Sequence, residues 1–136
     1  LGLVWSHSHY GSSSAVYRGS TLAPQSTGSL TDLTFDNYEA NIRYLINPAW
    51  VVAASYTFTD GRYSNATVNA KPRWNQFNLM TAYSLSKRTD LYLMAEYQMV
   101  RGAGATIFNG AFIGGSGGPS STNHQFLTSV GLRHKF

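Results

Sequence analysis

The sequence predicts an all-β protein, an antiparallel up-and-down transmembrane β-barrel of which this chain supplies about six strands. Three observations predict this class. Strand-length segments alternate apolar and polar residues with a period of two. Short turns alternate with long connections rich in Gly, Ser, Thr and Asn. Charged residues make up 12% of the chain and aromatic residues 14%, whereas globular proteins contain about 25% charged residues.

The first two strands are expected at residues 1–10 and 34–46. The first is ambiguous, because its apolar residues share a face with two histidines. In the second, Tyr38, Ile42 and Tyr44 alternate with polar residues. Successive side chains of a strand point to opposite faces, so this alternation predicts one apolar face and one polar face.

The third and fourth strands are expected at residues 49–59 and 73–85. The third shows the pattern most clearly, since Trp50, Tyr56 and Phe58 fall on one face and small, mostly polar residues on the other. The fourth repeats the pattern. The last two strands are expected at residues 90–101 and 123–136, again with aromatic and aliphatic residues on one side only.

The connections between these strands are of two kinds. Asn47-Pro48-Ala49 and Ser86-Lys87-Arg88-Thr89 predict tight turns, whereas residues 11–33, 60–72 and 102–122 predict longer loops. The two kinds alternate strictly, and the C-terminus falls on the side of the tight turns. Outer-membrane barrels have this asymmetry, with short periplasmic turns and long extracellular loops.

Aromatic residues near both ends of the apolar face favour hydrocarbon as its surroundings. Such residues gather at membrane interfaces, where the ring has one apolar and one wet side. Ten steps from Phe126 to Phe136, at ~3.3 Å each and tilted by ~40°, span roughly 25 Å, which matches the apolar band of a membrane barrel. The predicted lipid-facing girdle comprises Tyr44, Trp50, Phe58, Tyr83, Tyr97, Phe126 and Phe136.

Five charged residues of the predicted strands lie on the opposite, non-aromatic face: Glu39, Arg43, Glu96, Arg133 and Lys135. A water-filled lumen on that side would explain them, and their charges would then influence ion preference. Two interpretations stay open: a mild anion preference, from three cations against two acids, or solvated charge without a tuning role. The residues predicted to line the lumen are Glu39, Asn41, Arg43, Gln76, Asn78, Glu96, Gln98, Arg133 and Lys135.

Six strands are too few to close a membrane barrel. The smallest bacterial barrels have ~8 strands, and an open edge in lipid leaves backbone groups unpaired. Residues 1–136 are therefore expected to be the C-terminal part of one larger barrel domain. Two alternatives remain: a structural or adhesive outer-membrane barrel without an open pore, and a soluble ligand-binding barrel.

No enzyme activity, cofactor, metal or nucleic-acid partner is predicted. The chain has no Cys, and none of its four His residues belongs to a nucleophile motif. His7 and His9 share a strand face, but they would hold a metal only with a third ligand, so an ordinary pair is favoured. The Gly-rich run 114–118 does not lead from a strand into a helix, as a phosphate-binding loop does, and predicts a flexible loop tip. The ten Lys and Arg residues are scattered, unlike a nucleic-acid interface.

Two motifs resemble those of a known family. The ending Val130-Gly131-Leu132-Arg133-His134-Lys135-Phe136 resembles the C-terminal strand of outer-membrane proteins. Residues 83–92, with the sequence YSLSKRTDLY, resemble a turn of beta-proteobacterial general porins. The likeness extends over about residues 34–136, and the two motifs together are more specific than either alone.

The resemblance implies a general porin of the Gram-negative outer membrane, with several membrane passes. It implies a barrel of about 16 strands, of which these are the last six, and a homotrimer. It also implies passive diffusion of ions and small hydrophilic solutes, contact with outer-membrane lipid and lipopolysaccharide, and recognition of the Phe136 strand by the barrel-assembly machinery. The constriction loop of the family would lie upstream of this chain.

Overall fold

A computed structural model describes residues 1–11, 30–65, 68–104, 106 and 108–136. The strands are β1 (Gly2–Gly11), β2 (Leu30–Asn47), β3 (Trp50–Asn65), β4 (Asn69–Ala70), β5 (Arg73–Ser84), β6 (Thr89–Arg101) and β7 (His124–His134). The predicted all-β class is confirmed. No helix in the described residues is long and apolar enough to cross a membrane.

All the strands belong to one antiparallel sheet with a simple order. Along the sheet the order is β1-β2-β3-β5-β6-β7, and the two-residue β4 pairs with β3. Each long strand therefore pairs with the long strand before it in the chain, as in an up-and-down barrel. β1 and β7 form the two edges of the sheet, and among the described residues they do not pair with each other, so the described sheet is not closed.

Two strands are longer than the alternation of apolar residues predicted. β2 begins at residue 30 rather than 34, and β3 continues to residue 65 rather than ending at 59. β4 lies within the same region, so most of the predicted loop 60–72 is strand. The last strand is shorter than predicted, since β7 ends at His134 and not at residue 136.

The extension of β3 begins with a charged pair and continues with a buried apolar one, since Tyr63 pairs with Leu33 of β2. Asp60 pairs with Arg73 of β5, and the Arg73 Nε atom lies 2.8 Å from Asp60 Oδ1. Directly opposed residues of unlike charge stabilise a sheet as apolar pairs do. The end of the apolar pattern at Phe58 therefore marks a change of surroundings and not the end of the strand.

The two tight turns lie at the same end of the sheet. In the first, Asn47 Oδ1 accepts a hydrogen bond from the Ala49 N–H at 2.9 Å, which is a side-chain turn typical of Asn. In the second, the Leu85 N–H donates to the Thr89 carbonyl at 2.9 Å. This end is called the turn end, and the opposite end, where the longer connections lie, is called the loop end.

The buried core lies at the loop end and not along the middle of the sheet. One cluster contains Leu33 and Tyr63, and a second contains Val100, Ala103 and Ala111. The half-buried Phe108 packs against both clusters. Toward the turn end the sheet is a single layer whose two faces carry different side chains.

Candidate functional site

The cross-strand register sorts the side chains into two faces. Tyr56 of β3 pairs with Phe77 of β5, which pairs with Tyr97 of β6. Directly paired residues point to the same side of a sheet, so these three share one face, here called the aromatic face. The residues between them, such as Ser55 and Asn78, which also pair, form the opposite face, here called the polar face.

The aromatic face holds every strand residue of the predicted girdle. These residues are Tyr44, Trp50, Phe58, Tyr83, Tyr97 and Phe126. Phe136 follows the end of β7, and its ring meets that of His134 edge-on with 5.0 Å between centroids. Trp50 is 40% exposed and Phe126 is 65% exposed. In the described part of the chain, no other layer covers this apolar face.

Aromatic rows lie on either side of an aliphatic middle on this face. The row nearer the loop end contains Tyr56 and Phe77, whose ring centroids are 4.8 Å apart. The row at the turn end contains Trp50 and Tyr83, with centroids 6.4 Å apart. The six steps from Trp50 to Tyr56 correspond to roughly 20 Å along the strand. An apolar band with aromatic borders is the surface that a membrane interface favours.

A charged row crosses the aromatic face on the loop side of these aromatic residues. The register aligns His7, Asp36, Asp60, Arg73 and Arg101 across five strands. His7 Nδ1 lies 2.7 Å from Asp36 Oδ1, and Arg73 pairs with Asp60. Arg101 has no ion pair with any described residue. Sequence reasoning missed this row because Asp60 is the first residue of the predicted loop 60–72 and Arg73 follows its last, so the two become neighbours only through the register.

The two histidines of β1 contact carboxylates on β2. Besides the His7–Asp36 contact, His9 Nδ1 lies 3.1 Å from Thr34 Oγ1 and 3.2 Å from Asp32 Oδ1. The sequence around the histidines contains no such acid, so pairing of the strands creates these contacts. Across residues 1–11, 30–65, 68–104, 106 and 108–136, no group of three His, Cys, Asp or Glu side chains could hold a metal ion.

The polar face holds every strand residue that was predicted to line a lumen. These residues are Glu39, Asn41, Arg43, Gln76, Asn78, Glu96, Gln98 and Arg133. Lys135 follows β7, and its backbone N–H donates to the Arg88 carbonyl at 2.9 Å. The register thus brings the set together on one side of the sheet.

Amide side chains form a hydrogen-bonded series across this face. Gln98 Nε2 donates to Gln76 Oε1 at 3.0 Å, and Gln76 Nε2 donates to Asn78 Oδ1 at 3.1 Å. Asn78 Nδ2 then donates to Ser55 Oγ at 2.9 Å. These bonds hold neutral polar groups in place between strands β3, β5 and β6.

The charges of the polar face are more balanced than the sequence count suggested. Asp90 also lies on this face, opposite Arg133, and its Oδ2 atom is 2.6 Å from Arg133 Nη2. With Asp90 included, the three acids Glu39, Glu96 and Asp90 equal in number the three predicted cations, which are Arg43, Arg133 and Lys135. Arg43 has no ion pair with any described residue, so its charge is not compensated by a contact. Asp90 was missed because its position near the turn gives no sign that Arg133 is its partner.

The connection between β6 and β7 lies against the polar face near the loop end. Ala111 is 0% exposed and Ile113 is 1% exposed. The Phe112 N–H donates to Gln98 Oε1 at 2.7 Å, and the Ile113 N–H donates to Gln125 Oε1 at 2.6 Å. Gln98 therefore lies on the expected face but beneath this connection. The sequence predicted a loop here and did not predict its direction.

The sequence is similar to a known protein family. The family model described as Gram-negative porin matches residues 7–103, which are 97 of the 136 residues of the chain. The match begins within β1, runs through β6 and ends two residues after that strand. No curated protein matches the chain.

Proposed function

Because this chain belongs to the Gram-negative porin family, which resides in the outer membrane, we propose that its sheet is part of the wall of a water-filled channel. Ions and small hydrophilic solutes would diffuse through the channel passively, down their own gradients. In this proposal the polar face lines the lumen and the aromatic face meets lipid. Porins are a family of channels and not of enzymes, and no cofactor is assigned.

The separation of the two faces is the observation that supports this proposal most directly. The aromatic face exposes large apolar side chains such as Trp50, Phe77 and Phe126 to their surroundings. A contiguous apolar surface of this kind indicates contact with a partner or with lipid. Glu39, Arg43 and Glu96 all lie on the other face, where water can solvate them, and charged side chains lining a pore influence which ions pass.

This arrangement also weighs against a soluble ligand-binding barrel. A soluble barrel would turn its apolar face inward, leaving the charged face in contact with solvent on the outside. Its interior would then carry the Trp50 and Tyr83 row, and its outer surface would carry the amide series from Gln98 to Ser55. A membrane barrel uses the same alternation in the opposite sense, with polar residues inside and apolar residues outside.

The charged row on the aromatic face supports contact with lipopolysaccharide in the outer leaflet. The row lies on the loop side of the aromatic residues, which is the extracellular side in a porin-like orientation. There Arg101, which has no ion pair with any described residue, lies directly opposite Arg73, whose own charge is shared with Asp60. Directly opposed like charges destabilise a sheet. A phosphate group near both guanidinium groups would relieve that repulsion, because Arg binds phosphate through charge-assisted hydrogen bonds.

Three further features of the proposal rest on the family resemblance. The complete barrel would have about 16 strands that cross the membrane repeatedly. The full-length protein would form a homotrimer. The assembly machinery would recognise the strand that ends near Phe136, whose side chain is fully exposed.

Planar-bilayer recording of the full-length protein tests the channel function. We expect stepwise increases in current at constant voltage, with each step marking insertion of one channel. A protein that inserts into the bilayer but carries no current would contradict the proposal and favour a structural or adhesive barrel with a blocked lumen. A protein that stays soluble and folded without detergent would favour the soluble barrel.

A further inference from the structure

The connection between β6 and β7, residues 102–123, is called the inner loop. We propose that the inner loop is a fixed partition within the loop-end half of the channel, and that it restricts passage by size and not by charge. This inference rests on the proposed channel function, since it assigns a constriction to the same lumen. It is carried by the direction of the loop, its contacts with the wall and its composition.

The direction of the inner loop is determined at its first residue. Gly102 has a φ angle of 72°, a left-handed conformation that glycine adopts without steric cost. A Cβ atom at this position would collide with the backbone carbonyl of Lys71. A glycine directly after Arg101 therefore lets the chain leave the line of β6 while passing close to the segment before β5.

Aromatic packing anchors the inner loop to three strands. The Phe108 ring lies edge-on to Phe35 of β2, Tyr63 of β3 and Trp74 of β5, with centroid distances of 6.2, 5.8 and 5.5 Å. Edge-to-face contacts at these distances are favourable beyond the area that they bury. All three wall residues belong to the polar face, so the inner loop covers apolar groups that a water-filled lumen would otherwise expose.

Two glutamines of the wall hold the inner loop by its backbone. Gln98 and Gln125 are directly paired on β6 and β7, and their side-chain oxygens accept hydrogen bonds from consecutive backbone N–H groups, those of Phe112 and Ile113. Gln125 Nε2 also donates to the Gly118 carbonyl at 3.0 Å. Buried backbone groups need such partners, and here side chains of the wall supply them.

Hydrogen bonds within the inner loop fold it back on itself. The Ser120 N–H donates to the Ala111 carbonyl at 2.7 Å, and the Ala111 N–H donates to the Thr122 carbonyl at 3.1 Å. The contact with Gln98, three residues before the end of β6, lies roughly 10 Å along the strand from that end. The inner loop is thus a doubled segment that extends along the wall, away from the rim of the sheet.

The composition of the inner loop indicates how it restricts passage. Residues 102–123 contain no Asp, Glu, Lys or Arg. Ion preference in a pore depends on charged side chains and oriented dipoles. On the polar face Arg43 and Glu96 lie nearer the turn end, and Glu39, which shares the cross-strand row of Gln98, belongs to the wall and not to the inner loop. A neutral segment that occupies part of the cross-section should therefore lower conductance and exclude larger solutes without changing which ions pass.

Shortening the inner loop in the full-length protein tests this inference. In one variant a short Gly-Ser linker replaces residues 109–120. We expect larger single-channel conductance and faster entry of uncharged sugars into proteoliposomes, with the greatest gain for the largest sugars. The reversal potential in a KCl gradient should stay at the wild-type value, because no charge is removed.

A point variant separates anchoring from length. Gln125→Leu removes the acceptor for the Ile113 N–H and the donor to the Gly118 carbonyl at similar side-chain volume, so we expect open-channel current to fluctuate between the wild-type level and a higher one. Thr57→Val is the matched control, because Thr57 lies in the same row of the polar face on a strand away from Gln125, and it should keep the steady wild-type current.

The two proposals fail in different ways. If the wild-type protein conducts and the shortened variant has the same conductance and the same sugar permeability, the inner loop is not a partition. A changed reversal potential in the shortened variant would overturn a neutral size filter. If the wild-type protein carries no current, the channel function itself fails. Circular dichroism confirms folding, and should the point variant misfold, the shortened variant decides.

Discussion

Arg133 and Asp90 form an ion pair between the last two strands at the turn end of the polar face. Arg133 Nη2 and Nε lie 2.6 and 3.2 Å from Asp90 Oδ2. Ser84 Oγ donates to the other carboxylate oxygen at 2.7 Å. The Asp90 carboxylate therefore neutralises the Arg133 guanidinium, although a count of charges along the sequence treats Arg133 as an unpaired cation. Removing either residue leaves the charge of the other uncompensated on the polar face.

Substitutions in this pair should shift ion preference in opposite directions. Arg133→Gln leaves the Asp90 charge uncompensated, and we expect a reversal potential shifted toward cation preference. Asp90→Asn leaves Arg133 uncompensated and should shift it toward anions. The double variant should return close to wild type, because it removes both charges. Equal shifts of the same sign from the two single variants would contradict this arrangement.

Arg43 should influence selectivity more than Arg133 does. Its charge has no ion-pair partner among the described residues, whereas that of Arg133 is paired. Arg43→Gln is expected to lower the ratio of anion to cation permeability, measured as a reversal potential in a salt gradient. Glu96→Gln is the matched control on the same face and should raise the ratio. An unchanged reversal potential in Arg43→Gln would show that Arg43 is a solvated charge with no effect on ion preference.

The two faces should differ in their access to lipid. Trp50 lies on the aromatic face, whereas Trp74 pairs with Val100 and Thr59 on the polar face and packs under Phe108. In vesicles that contain brominated lipid, Trp50→Phe should remove part of the quenchable fluorescence. Trp74→Phe should remove fluorescence that the lipid does not quench. The reverse result would show that the aromatic face is the interior.

A larger side chain at Gly131 should destabilise the protein. A Cβ atom there would collide with the ring of Tyr92, which lies across the glycine on the neighbouring strand. Gly131→Val should destabilise the protein by about 1–3 kcal/mol, as overpacking typically does, measured by urea unfolding in detergent. Gly11→Ala is the control, since a Cβ atom there meets only His9 at an ordinary 3.6 Å. Tyr92→Ala should reduce the cost of Gly131→Val.

The charged row should affect how much lipopolysaccharide remains bound during purification. Arg73→Glu combined with Arg101→Glu replaces two opposed cations with anions, which would repel phosphate. We expect less lipopolysaccharide per protein, measured by native mass spectrometry. Lys87→Glu combined with Arg88→Glu makes the same charge change at the tight turn and should keep the wild-type amount. An equal loss in both variants would argue against a site at the charged row.

The strand pattern and the two faces could be predicted from residue types alone. The alternation around Trp50 and Phe58 identifies β3, because one side of a strand meets apolar surroundings and the other meets polar ones. The strict succession of short and long connections predicts the meander. These features depend on neighbours in sequence, and periodicity reports them directly.

The remaining features depend on contacts between distant residues. The charged extension of β3 does not follow the apolar pattern, so it could not be distinguished from a loop. Gln98 and Gln125 are ordinary polar residues of alternating strands, and nothing in their sequence surroundings shows that they bind the backbone of the inner loop. The pairing of Asp90 with Arg133 likewise requires the register, which sequence periodicity does not provide.

The order of the strands also has a kinetic consequence. Each long strand pairs with the long strand before it, so the sheet can be extended one hairpin at a time. Closing a short loop costs less chain entropy than closing a long one. The inner loop differs, because Phe108 contacts β2, β3 and β5 together. It can dock only on a wall that is already assembled, so its burial should be among the last steps of folding.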